Sequence, residues 1–211
     1  MPKETPANRQ QMRHRIAHLA ARMIAEDGIA DYGLAKRKAA RQAGAPDSRN
    51  LPNNVEIEEA LRAYQDLYQA DEHPERVARL RKLALDTMRL LDPFDPHLTG
   101  SVLSGAVTRH GDIHLQLYTD SPKDVEIFLV NRGIPFRSRE TRVWTGDTMV
   151  MVPELVLTAG ETEIHLMVLV HLQRRLALRL SQDGRPLERA SLQAVEALVA
   201  GHDAAPSLPA S

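Results

Sequence analysis

The hydrophobic period of this chain changes once, at Pro93-Phe94-Asp95-Pro96, and that change limits what it can fold into. Before it, apolar residues recur at helical spacing. Met12, Ile16, Leu19, Ala20, Met23 and Ile24 make one stripe over 9–27, with Gly28 as a stop. A second, shorter helix is predicted over 32–43, before Gly44. A third follows Pro52, where Asn53 and Glu56 form a capping-box signature. Its stripe is Val55, Ile57, Leu61, Tyr64 and Tyr68, and a fourth helix over 73–91 carries Val77, Leu80, Leu83, Ala84, Met88 and Leu91. After Pro96 the period becomes two. Asp112 to Tyr118 alternates, with Ile113, Leu115 and Leu117 on one side and Asp112, His114 and Gln116 on the other. Residues 136–144, 148–157 and 162–170 read as further strands, and 121–132 and 188–200 as helices. Pro153 suggests an edge position or a bulge. The expectation is an α+β protein: a helical region over 1–95, a mixed β-sheet with flanking helices over 96–201, and a disordered tail over 202–211.

Composition narrows the chemistry. The absence of cysteine excludes disulfides, thiolate metal sites and cysteine nucleophiles. A formal net charge of −1 provides no global field for nucleic acid or an anionic membrane. Aromatic residues, at 4%, are too few for a base-stacking platform. No apolar run reaches the length of a membrane span, and the N-terminus has no signal-like apolar core, so a cytoplasmic protein without membrane contact is expected.

The stretch with chemical content is Leu98 to Leu117, LTGSVLSGAVTRHGDIHLQL. Gly100 permits close backbone approach after a strand, and Ser101 opens a helix whose free N–H groups favour an anion. Asp112 and the group two residues on share one strand face, a spacing that can hold a divalent cation against phosphates. The Gly-Ser pair, the spacing to Asp-Ile-His-Leu and the order of elements resemble the nucleotidyltransferase superfamily that includes DNA polymerase β. The likeness covers about residues 97–170, with Gly100, Ser101, Gly105, Asp112, Ile113 and Leu115 as matching positions. It implies a nucleotidyltransferase-like sheet, a nucleotide or other phosphorylated ligand, a divalent metal, and a third acid on a neighbouring strand.

The chain departs from that pattern where His114 stands in place of the second acid. Magnesium prefers oxygen ligands, whereas imidazole suits zinc, manganese or iron. The third acid is expected on 162–170, where Glu163 and His165 share a face and His165 repeats the Ile-His-Leu triplet of 113–115. If the two strands are neighbours, Asp112, His114 and His165 converge as a His₂-carboxylate cluster. That cluster binds a metal or supplies imidazole acid–base groups, with Glu163 as the remaining acid. A strand histidine is also a common structural residue, and Glu163 could be a solvated turn acid. Arg137 and Arg139 are candidate phosphate contacts, the alternative being a solvated sheet face. Lys36, Arg37, Lys38 and Arg41 form the one locally basic patch, suited to nucleic acid and in particular to the RNA backbone. Two functions follow. One is nucleotide binding with nucleotidyl transfer to an acceptor at an altered Asp/His metal site. The other is a catalytically inactive fold that binds nucleic acid or protein.

Overall fold

The computed structural model describes residues 6–27, 29, 32–45, 51–68, 72–108, 111–180 and 186–203. Gly28 and the tail from 204 onward lie outside the described residues. The chain is a mixed α+β protein that divides into two compact units. One contains residues 1–74 and 106–110, the other 75–105 and 111–211.

The first unit holds α1 (Pro6–Asp27), α2 (Tyr32–Gln42) and α3 (Asn54–Tyr68). Its core joins Ile16, Ala20, Ala21 and Ile24 of α1 to Ala35, Ala39 and Ala40 of α2 and Ile57 and Leu61 of α3. The many alanines let helix axes approach closely, at little side-chain entropy cost. The capping box forms: Glu56 N–H donates to Asn53 Oδ1 at 3.0 Å, and Asn53 N–H donates to Glu56 Oε2 at 2.7 Å. The same carboxylate receives a bidentate Arg13 at 2.6 and 2.7 Å, which ties α1 to the start of α3.

The second unit is built on a seven-stranded sheet, β1 (His97–Thr99), β2 (Ile113–Thr119), β3 (Arg137–Thr145), β4 (Thr148–Ala159), β5 (Thr162–Val170), β6 (Leu178–Arg179) and β7 (Arg189–Ser191). Their spatial order is β6-β3-β4-β5-β2-β1-β7. The β2–β5 pair is parallel and the other described pairs are antiparallel. β2 and β5 are the central strands and are buried along nearly their whole length, as their apolar content demands. Helix α4 (Glu72–Leu90) lies largely in this unit, although in the chain it continues the run of helices that precedes β1. Helices α5 (Ser101–Ser104), α6 (Pro122–Asn131) and α7 (Leu192–Asp203) complete it. α7 runs two residues past Gly201, where the tail was expected to begin.

Two local features differ from the sequence expectation for physical reasons. The apolar run after Pro96 yields only a three-residue strand, because Gly100 turns the chain with φ 77° and ψ −155°, a conformation open to glycine alone. Pro153 sits in an interior strand, yet the β4–β5 ladder begins only at Glu154. The part of β4 carrying Pro153 pairs with β3 alone, so on its β5 side this stretch has the edge character that tolerates proline.

Candidate metal centre

The sheet register assembles the site. In the parallel β2–β5 pair His114 lies opposite His165, and equal register places both imidazoles on one face. Their rings stack, with centroids 4.7 Å apart and planes at 21°. On the same row Thr99 lies opposite His114, Val156 opposite His165, and Arg137 opposite Val156. The next row of that face carries His97, Gln116, Met167, Glu154 and Arg139. Of these polar groups, His97, Thr99, Gln116, Glu154 and His165 are buried. Further along the face, Tyr118, Val143, Val152 and Leu169 close into an apolar cluster. Gly100 borders the site from β1, where a Cβ would lie 3.5 Å from the His114 ring. The bare glycine thus brings the chain corner against the imidazole.

One atom each from His114, Glu154 and His165 lies within 4.8 Å of the others, a spacing able to hold a metal ion. His165 is the centre of this group. Its Nδ1 is 3.4 Å from Glu154 Oε1 and 3.0 Å from Arg139 Nη2. Its Nε2 is 3.7 Å from Asp112 Oδ2 and 3.6 Å from Glu163 Oε2. These last distances are too long for good hydrogen bonds, and Nε2 is buried with no hydrogen-bond partner. Two donors bound tetrahedrally to one ion at about 2.1 Å stand about 3.4 Å apart, as His165 Nδ1 and Glu154 Oε1 do at 3.4 Å. Two imidazoles with a carboxylate form a donor set suited to a transition ion.

The electrostatics are lopsided. The carboxylates of Asp112 and Glu154, which face its two ring nitrogens, push His165 up to about 9. The Arg139 contact at Nδ1 suits only a neutral ring, since a protonated one has no lone pair to accept with. Three carboxylates against one guanidinium within reach decide the direction upward. Crowded surroundings first, and then the charge of His165, push His114 down to about 4, although its own side chain is exposed. Burial raises Glu154, but its hydrogen bonds to His165 and Arg139 outweigh that and hold it at about 2. The neighbouring His165 is also the main cause lowering Asp112.

Most residues singled out from the sequence come together here: Asp112, His114, Glu163 and His165, with Gly100 beside them. Arg137 and Arg139 are present but engaged, Arg137 with Glu163 and Arg139 with Glu154. Ser101 belongs to a single four-residue turn, which carries little of the dipole a longer helix provides. Glu154 is the residue that sequence reasoning missed. Its signal is a lone carboxylate between Val152 and Leu155 in an otherwise apolar strand, next to the distracting Pro153. The basic patch is elsewhere, on α2, with Arg37, Lys38 and Arg41 exposed and Lys36 half-buried. Burial lowers Lys36. The chain matches no protein-family model, no curated protein and no solved structure.

Proposed function

We propose that the polar rows around His114, Glu154 and His165 form a transition-metal-dependent site for a nucleotide or other phosphorylated ligand, in a nucleotidyltransferase-like arrangement. The observation that carries the reading is the convergence of one donor atom each from His114, Glu154 and His165 within 4.8 Å, with Glu154 and His165 buried. His114, Glu154 and His165 would hold the ion, with Asp112 at the rim. When bound, the ion supplies charge to offset phosphate oxygens and polarise the phosphorus centre. The nucleotide part is supported by the order β1, Gly100, α5, β2, which sets His114 beside the glycine corner. It is supported also by Glu163 and His165 on the parallel neighbour of β2, the strand on which the resemblance implies a third acid.

In such a site His114, held near 4, is neutral at neutral pH and offers a lone pair. Asp112, held low and ionised, is the acceptor-side base within reach of the cluster. Transfer would be an in-line attack of an acceptor oxygen on the α-phosphate, with pyrophosphate leaving and the acceptor proton passing to Asp112. A chain that binds metal and nucleotide but transfers nothing would be the same site kept for ligand binding alone.

The test is isothermal titration with Zn²⁺, Mn²⁺ and Mg²⁺, each with and without ATP, CTP, GTP and UTP. The expected result is one Zn²⁺ or Mn²⁺ per chain, weak Mg²⁺ binding, and nucleotide binding that depends on the metal. His165→Ala should weaken the metal by about 100-fold or more. Silence in every combination contradicts the proposal.

A further inference from the structure

We infer that Arg139 is the resident cation of this site, displaced when a metal ion binds, and that its released guanidinium then holds an anionic oxygen of the metal-bound ligand. This inference rests on the metal reading above and assigns Arg139 a role within it. The guanidinium spans two of the groups a metal would use. Its Nε donates to Glu154 Oε2, and its Nη2 lies 3.0 Å from His165 Nδ1.

A neutral imidazole has one lone pair. A metal on Nδ1 consumes it, and a metal on Nε2 leaves a proton on Nδ1. In either case, as in the protonated ring, Nδ1 offers Arg139 no acceptor, so Glu154 is what holds the guanidinium, and its 3.0 Å approach to Nδ1 puts it where an ion on Glu154 and His165 would sit. Charge acts in the same direction, because a divalent ion among His114, Glu154 and His165 repels a guanidinium held on the same carboxylate. The side that yields is decided by burial. The Arg139 side chain is 56% exposed, whereas those of Glu154 and His165 are only 6% and 7% exposed. Arg139 can swing outward, and the two ligands cannot. A guanidinium freed beside a metal site meets phosphate or pyrophosphate oxygens as a two-donor fork.

The experiment measures Zn²⁺ and Mn²⁺ affinity at one pH, by competition with a chromophoric chelator, for the wild type, Arg139→Met and Arg139→Lys. It then measures pyrophosphate affinity of the metal-loaded proteins. Arg139→Met should bind metal about tenfold tighter and pyrophosphate about tenfold weaker, with Arg139→Lys between. Metal binding by Arg139→Met that is equal or weaker overturns the inference alone, since it makes Arg139 a prop for Glu154. Unchanged pyrophosphate affinity overturns it as well. If neither wild type nor variant binds metal, the metal reading falls and this inference with it. Should Arg139→Met fail to fold, nitrogen-15 spectra of the wild type decide. The Arg139 Nε–H resonance should move to a solvent-exposed position on adding Zn²⁺, and an unmoved resonance in the metal-loaded protein overturns the displacement.

Discussion

At His165 a single ring collects the influence of most of the site, and its titration is the first consequence. Its folded-state value, about 9, lies above the ordinary 6.5. The stability gained from the charged ring is therefore complete below 6.5 and is lost as pH rises through about 9. Urea midpoints of the metal-free protein between pH 6 and 10 should fall across that window, and His165→Gln should flatten the fall. The carboxylates act in the opposite sense. The contribution of Glu154 is present above its ordinary 4.5 and disappears as pH falls toward about 2. His114→Asp restores an acid pair with Asp112 and should shift the metal preference toward Mg²⁺ by about tenfold or more relative to Zn²⁺. An unaltered preference would show that His114 is not a ligand. Both histidines were legible because the Ile-His-Leu triplet repeats on two alternating strands. Glu154 was not, because alternation tells which side a residue faces but not which strand lies beside it.

Elements set the spacing that those residues share. The corner at Gly100 holds a backbone conformation that a side chain resists, so Gly100→Ala should cost about 1–3 kcal/mol in urea denaturation. Because that corner abuts the His114 ring, the same variant should weaken metal binding, and an unchanged metal affinity would separate the corner from the site. In the helical unit, Asn53→Ala should cost about 1 kcal/mol through the lost cap. Glu56→Ala should cost more, since it removes the bidentate Arg13 pair too. The exposed bases of α2 test the second reading. Glutamate at positions 37, 38 and 41 should lower RNA retention at low salt and leave metal affinity unchanged. The helices were legible to within a few residues, since their apolar stripes and caps are local signals. The short strands β6 and β7 were not, because two or three residues carry no period and owe their structure to neighbouring strands.

For the whole molecule, the switch of hydrophobic period foretold an α+β chain, and the strands begin only after it, at His97. Helix α4 has the same local pattern as α1 and α3, and only long-range contacts assign it to the sheet unit. The parallel β2–β5 pairing was likewise a condition in the sequence and became a fact only with the register. If a metal ion binds the folded chain and not the unfolded one, it stabilises the folded state by mass action. At 100 times the dissociation constant the gain should be about 2.7 kcal/mol, read as a shift in unfolding free energy that His165→Ala abolishes. The most direct measurement is X-ray absorption at the metal edge of the Zn²⁺-loaded protein. Multiple scattering from two imidazoles together with carboxylate oxygen, reduced to one imidazole in His114→Ala, is the expected result. A shell of oxygen alone, or a spectrum unaltered by His114→Ala, would contradict a metal held jointly by the two histidines.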